Sequence, residues 1–564
     1  MCKGRKHIVC VLLAALFSLA SLSGCNMRGA HTGRENALSY DDAVKELEVF
    51  VKSIEPDSVA APLDIYTSEA DPVSVLADID TFPIVVEGTG QIDIEVAAAT
   101  EMSASAPDDW MNVVAERFNR ENHTVGGKTV SVSVRKITSG EVVTYMTDGG
   151  YKPDVYAPSN YAWGEMLKAH GFGVVTLADR ILGNTAGILM EKETHAAFTA
   201  KYGDVSVDKV LEASLAGDLT FAYTNPFTSS TGLNIFTAML RAFDPGNPLS
   251  SAASEKLLEY QRKSPPVAYT TAVLRDQASK GIIKAMVMEE QAYHNTPELR
   301  NYVYSPQGIR HDHPVYTFDY VPQERQDAAK LFVDYCLSAK SQQLGNEKGF
   351  NLHNDYKEQS PGLDGAGFIS AQKLWKQNKD GGRPIVAVFV ADISGSMDGL
   401  PLNELKDALV STSKFIGSNH YVGLVTYASS VYINLEIAEF DDIQRAYFSG
   451  SVKSLFAGGG TATYDAVLVG LDMLLKKQQE LPDAKPMLFV LSDGQQNEGY
   501  HLDRITPIVG GLQIPIYSIA YNLDGDSTAG GELQTLSRIN EAVLINANSE
   551  DLINQLRNLF NVQM

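Results

Sequence analysis

The stretch Pro384-Ile385-Val386-Ala387-Val388-Phe389-Val390-Ala391-Asp392-Ile393-Ser394-Gly395-Ser396-Met397 decides the fold of the C-terminal third of this chain. From Pro384 to Ala391 the residues are apolar almost without a break, the pattern of a central parallel strand covered on both faces. The run stops at a carboxylate, Asp392, followed by two hydroxyls, Ser394 and Ser396, and the sequence turns helical from Leu402 onward. Those side chains are therefore expected in the loop at the C-terminal end of a central strand. That edge is where open α/β sheets place their ligands.

Two later segments extend the pattern. Gly458-Gly459-Gly460-Thr461-Ala462-Thr463 opens a helix at Tyr464 and offers hydroxyls on a Gly-rich turn. Met487 to Leu491 reads as a second buried strand and ends in Ser492-Asp493-Gly494. Further strands are expected near Ile514 to Tyr521 and Ala542 to Ile545. In this order and spacing the three loops resemble the metal-ion-dependent adhesion site of von Willebrand factor A domains, over about Arg383 to Met564. The resemblance implies a doubly wound, mostly parallel sheet flanked by helices. Position by position it implies Asp392, Ser394, Ser396, Thr461 and Asp493 as metal ligands, Thr461 being preferred to Thr463 because it directly follows the glycines.

Five oxygen donors with only two carboxylates suit a hard octahedral cation, Mg²⁺ or Mn²⁺. In the family one coordination position is left for an acidic side chain of a partner. The under-neutralised ion then rewards a Glu or Asp from outside with a strong charge interaction.

Residues 89–353 read as a second α/β region. Ile92 to Ala98 is expected to be a strand, followed by the polar turn Thr100 to Ser105 and a helix from Trp110 to Asn119. Val130 to Ile137 is expected as a strand, and Pro153-Asp154-Val155-Tyr156-Ala157-Pro158-Ser159-Asn160 runs into another helix. Thr224-Asn225-Pro226-Phe227-Thr228-Ser229-Ser230-Thr231-Gly232 again stands at the mouth of a helix. With the helical-looking run Ala328 to Phe350, these segments resemble bacterial extracellular solute-binding proteins, which have two lobes and a hinge. That likeness implies a cleft lined by Ser103, Ser105, Ser159, Thr228, Ser229, Ser230 and Thr231. Hydroxyls and backbone N–H groups at helix N-termini bind a small solute or oxyanion without a counter-charge.

The N-terminus speaks to compartment. Lys3, Arg5 and Lys6 precede a short apolar run from Ile8 to Ser21, the form of a signal peptide over residues 1–24. Leu22-Ser23-Gly24-Cys25 resembles the lipobox of bacterial lipoproteins, which implies cleavage before Cys25, acylation (palmitate) of its thiol and stable attachment to the cell envelope. Residues 25–88 are expected to be a polar tether carrying one amphipathic helix from Asp41 to Ile54, and residues 354–382 a linker. With Cys25 acylated, only Cys336 remains in the mature chain, so no intramolecular disulfide is expected; Cys336 reads as a buried thiol.

The 564 residues carry 44% hydrophobic residues and a formal net charge of -23, a chain able to bury cores but repelled by phosphate backbones. Nucleic-acid partners are excluded on that ground. His311-Asp312-His313 reads as an exposed loop, and Glu289, Glu290 and His294 carry no mark of an acid–base pair. No nucleophile elbow, phosphate loop or His-Glu-x-x-His occurs. The expectation is a non-enzymatic, envelope-anchored binding protein, gripping an acidic residue of a protein partner through a divalent cation while a second domain recognises a small ligand. The alternative is the solute receptor of an ABC importer, with the C-terminal domain as an accessory dock.

Overall fold

The computed structural model describes residues 37–64, 76, 79–263, 265–268, 270–279, 281, 283–521, 528–540 and 544–547, together with 552, 556 and 559. The expected signal peptide and Cys25 lie outside the described residues. Among the described residues no helix is long and apolar enough to cross a membrane.

The C-terminal domain is built on one seven-stranded sheet. Its strands are β1 (Asp57–Ser58), β2 (Ile385–Asp392), β3 (Tyr421–Tyr427), β4 (Val431–Glu439), β5 (Lys485–Ser492), β6 (Ile516–Tyr521) and β7 (Leu544–Ala547), in spatial order β1-β4-β3-β2-β5-β6-β7. Only the β3–β4 pairing is antiparallel. Every residue of β2 is buried because both faces are covered. Val386, Val388 and Val390 enter one core layer with α3 (Thr463–Glu480) and α4 (Leu502–Leu512). Ile385, Ala387, Phe389 and Ala391 enter the other, with Leu402, Leu405 and Phe448. The period-two alternation of an apolar strand thus feeds two cores at once.

Described residues of the stretch expected to be a tether are folded into the C-terminal domain. Helix α1 (Tyr40–Ile54), capped by Ser39 accepting from the Asp42 N–H, buries Ala43, Leu47 and Phe50 in the same layer as α3 and α4. A Cβ on Gly511 of α4 would stand 2.7 Å from the Ala43 methyl, so the close approach requires glycine there. The Phe50 and Tyr500 rings lie 4.5 Å apart. Beyond α1, β1 pairs in parallel with β4, Asp57 opposite Tyr432. Gly450 lies so close to the Pro62 carbonyl that an added Cβ would stand 1.9 Å from it. The chain therefore starts the C-terminal domain before the middle domain and returns to finish it afterwards.

The middle domain has two lobes. One holds a sheet in the order Ile84–Val86, Lys128–Lys136, Ile92–Ala98, Val155–Ala157, Val315–Phe318, Val174–Ala178. The other holds an antiparallel sheet of Ala285–Glu289, Thr185–Glu191 and Tyr302–Arg310. The chain crosses between lobes twice, after Ala178 and after Arg310. Ile84–Val86 pairs with Lys128–Lys136, so this domain begins before residue 89. Cys336 is buried, and burial pushes its thiol far above the ordinary range.

The expected linker is also folded. Helix α2 (Gly365–Asn378) is capped by Asp364 and lies across both lobes. Phe368 joins the cluster of Trp163 and Leu167 in the first lobe, while Ala371 and Trp375 join the core of the second. Trp375 Nε1 donates to Tyr223 Oη at 2.8 Å, and Gln372 Nε2 donates to the Pro226 carbonyl at 2.8 Å. Glycines at 381 and 382 end this strap, and β2 begins three residues later.

Candidate functional site

At the C-terminal ends of β2 and β5 four side chains converge. The Ser394 N–H donates to Asp392 Oδ1 at 2.8 Å, Ser394 Oγ and Ser396 Oγ stand 3.0 Å apart, and Ser396 Oγ donates to Asp493 Oδ1 at 2.8 Å. The second Asp392 oxygen accepts from Ser492 Oγ at 2.8 Å and from Tyr427 Oη at 3.2 Å. Tyr427 reaches the site because the β2–β3 register places it opposite Asp392. The Gly-rich turn is stitched to this loop by Gly395 N–H to the Gly459 carbonyl, 3.1 Å, and Gly458 N–H to the Ile393 carbonyl, 2.9 Å. Gly459 has φ of 86°, a left-handed backbone that favours glycine.

Thr461 is buried on the same turn, and its described hydrogen bonds are made by its backbone: its N–H donates to Asn497 Oδ1 at 2.8 Å, and its carbonyl accepts from Asn497 and Glu498. Thr463, the other hydroxyl weighed, is the first residue of α3 and is also buried. The structure thus joins Asp392, Ser394, Ser396 and Asp493 in one hydrogen-bonded group, with Thr461 on the adjoining turn. Tyr427 and Asn497 carry no local motif; Ser492 stands in the quoted Ser-Asp-Gly but is distinguished only by its bond to Asp392.

The electrostatics match a cation. Burial pushes the Asp392 carboxyl above the ordinary carboxylate range, against the pull of its hydrogen bonds. Asp493 is raised by burial and by the neighbouring charge of Asp392. Among the described residues neither carboxylate has a basic partner, so the group is two acids and two hydroxyls facing one another. Among the described residues no three His, Cys, Asp or Glu side chains form a metal-holding group, and a cation placed here would rest on hydroxyls as much as on carboxylates. Ser396 is exposed and Asp493 half-buried, so one side opens outward.

The cleft of the middle domain corrects several expectations. His311 and His313 are fully buried at the second lobe crossing, not exposed. His311 Nδ1 lies 2.8 Å from Glu289 Oε1, and His313 Nε2 lies 3.3 Å from Glu101 Oε1. Thr231 Oγ1 donates to Glu289 at 3.1 Å, Ser230 Oγ accepts from Trp163 Nε1 at 2.8 Å, and Ser229 caps the helix Ser230–Phe243. Ser159 Oγ is 3.2 Å from Ser139 Oγ, and Thr228 is buried beside them, its carbonyl accepting from Gly140 N–H. Ser103 bonds back to the carbonyls of Ala98 and Ala99, and Ser105 is exposed. Most of the expected hydroxyls are therefore engaged with protein groups. The carboxylates of buried Glu289 and partly buried Glu101 among them weaken the case for an oxyanion held without counter-charge. Burial raises Glu101, but the hydrogen bond and charge of His313 outweigh it and hold the carboxyl low; burial and the Glu101 charge leave Glu289 raised. Asp108 of the first lobe accepts from Arg275 (2.9 Å), Gln291 (2.6 Å) and Asn295 (3.4 Å) of the second, a bridge between lobes.

Comparison with known proteins agrees with this division. The family described as bacterial extracellular solute-binding protein matches residues 99–351, and the von Willebrand factor type A domain matches residues 387–559. The chain is 30% identical over 172 residues to inter-alpha-trypsin inhibitor heavy chain H1 of Bos taurus, covering 28% of this chain and 18% of that protein. It is 29% identical over 154 residues to heavy chain H3 of Homo sapiens, covering 25% and 17%. The match thus spans less than a fifth of these relatives. Among solved structures, iron-bound HitA from Pseudomonas aeruginosa is similar at a TM-score of 0.38 and 14% identity, over 52% of this chain and 99% of that one. A von Willebrand factor type A protein from Catenulispora acidiphila is similar at a TM-score of 0.29 and 17% identity, over 32% and 42%.

Proposed function

We propose, for a chain that carries an extracellular solute-binding domain followed by a von Willebrand factor A domain, that it is an exported, non-enzymatic binding protein held at the cell envelope by acylated Cys25. In this reading Asp392, Ser394, Ser396, Thr461 and Asp493 hold Mg²⁺ or Mn²⁺. The bound ion supplies a positive charge that an Asp or Glu of a protein partner gains by approaching. The observation that carries the reading is the hydrogen-bonded group Asp392–Ser394–Ser396–Asp493, two carboxylates without a basic partner among the described residues. Ser492 and Tyr427 orient Asp392, which keeps that carboxylate from turning away. Phe456, 82% exposed and two residues before the Gly-rich turn, gives a partner apolar surface beside the acid-binding position.

The middle domain recognises a small polar solute between its lobes. The match over residues 99–351 also supports the importer-receptor reading, with the A domain as an accessory dock. Calorimetric titration of Mg²⁺ and Mn²⁺ into the native chain and into a variant with Asp392→Ala and Ser394→Ala decides the first point. Saturable binding that vanishes in the variant supports the adhesion site. Absence of binding in both removes it and leaves the solute-receptor reading as the better account.

A further inference from the structure

Where the two domains meet, a crevice of about 580 Å³ opens at the N-terminal edge of the seven-stranded sheet, opposite the adhesion loops. Its size is that of a small-molecule site, and domain junctions are where such sites concentrate. Three cationic side chains line it: Lys379 and Arg383 at the end of the strap, and Lys485 at the start of β5. Two carboxylates, Asp380 and Asp483, line it as well. Lys379 is buried and paired with Asp380 at 3.0 Å. Lys485 is half-buried and, among the described residues, within ion-pair distance of no carboxylate. In a chain of net charge -23, a wall with more cations than anions runs against the overall balance. Burial, Arg383 and Lys379 push the Lys485 ammonium down to about 8, against the pull of the Asp380 charge.

Apolar side chains line it too, Pro266 of the middle domain on one side and Pro486, Met487 and Ile514 of the A domain on the other, interspersed with the amides of Gln277, Gln478 and Gln513. Asn540 also lines it; its Nδ2 donates to the carbonyls of Val509 and Ile514, and its buried Oδ1 has no partner among the described residues.

We infer that this crevice is a second ligand site, taking a small organic anion whose carboxylate or phosphate meets Lys485 and Arg383 and whose apolar body lies between Pro266 and Met487. The ligand touches both domains and the strap between them, so its binding is separate from the interlobe cleft and from the adhesion loops. It gives the half-buried ammonium a counter-charge, while its apolar part meets the apolar residues of the wall.

The test is calorimetry on the full chain with phenyl phosphate, inorganic phosphate and phenyltrimethylammonium. Phenyl phosphate is expected to saturate one site, inorganic phosphate to bind more weakly, and the cation to bind not at all. Lys485→Gln is expected to weaken phenyl phosphate by about tenfold or more, the worth of one charge-assisted hydrogen bond, with an unchanged circular dichroism spectrum. Asp483→Asn, which removes a repelling charge on the rim, is expected to tighten it. Phenyl phosphate binding that is not saturable, that the folded Lys485→Gln chain retains in full, or that Asp483→Asn weakens overturns the assignment. Equal binding of the cation overturns it too.

Discussion

Leu47 of α1 offers a direct measure of how far the A domain depends on residues far upstream of it. The side chain is 1% exposed and lies in a layer with Ile505, Ile508 and Val509. Leu47→Ala removes three buried carbons, worth about 2.4 kcal/mol at about 0.8 kcal/mol each. The cavity left behind adds to that, so the expected cost is about 2–5 kcal/mol. For a domain of this size it corresponds to a fall of about 4–20 °C in the melting temperature of the A domain. Val49, on the opposite face of the same helix and 62% exposed, serves as the control; Val49→Ala is expected to change stability by less than about 0.5 kcal/mol. Differential scanning calorimetry resolves whether the loss falls on one transition or two. If Leu47→Ala leaves every transition in place, α1 contributes nothing to the A domain, and the account of the upstream segment as part of that fold is wrong.

Three further expectations follow from the middle domain and the adhesion loops. Glu101 is held below its ordinary 4.5, so its contribution is present above that pH and lost as pH falls through the lower folded value; His313 is raised above 6.5, so its contribution is present below that pH and lost as pH rises through the higher one. Middle-domain stability should therefore peak between about pH 4.5 and 6.5, and His313→Gln should flatten the profile and cost about 3 kcal/mol, read by urea denaturation across pH. Trp375→Ala should cost the middle domain about 3–5 kcal/mol despite its place in an apparent linker, read from the same denaturation midpoint. Ser492→Ala should weaken Mg²⁺ binding about tenfold by releasing Asp392, without touching the proposed ligands; unchanged affinity in calorimetry would show that Asp392 needs no such support.

Of the sheet of the C-terminal domain, β2, β5, β6 and β7 were legible because their signals are local, whereas β1, β3 and β4 were not expected. A buried parallel strand must be apolar on both faces, and Pro384 to Ala391 is; loop chemistry then follows at a fixed offset. What was not legible depended on partners hundreds of residues away. The periodicity of α1 was readable, with Val44, Leu47, Val51 and Ile54 on one face, yet the residues that are most buried are Ala43, Leu47 and Phe50. A rotation of that kind is decided by the surface the helix meets, here Gly511 and Tyr500. Residues 354–382 looked like a break because Pro361, Gly362, Gly381 and Gly382 bracket them, but Asp364 caps a helix between those breakers. His311-Asp312-His313 read as a polar loop since three polar residues in a row normally seek water. Glu289 and Glu101 change the balance by pairing with the two histidines, and neither carboxylate is near them in sequence.

The placement of α1 has a consequence for how the molecule is made. Among the described residues, the face that carries Ala43, Leu47 and Phe50 packs in one layer with the helices Thr463–Glu480 and Leu502–Leu512. About 400 residues separate the two, and at a synthesis rate of about 5–20 residues per second that is roughly 20–80 s during which the apolar face of this amphipathic helix lacks these partners. The middle domain has time to fold completely in that interval, as an island between the two halves of its neighbour. The last domain to close is thus the one that was begun first. Any factor that shelters exported chains from aggregation would have to hold this N-terminal helix until the final strands arrive.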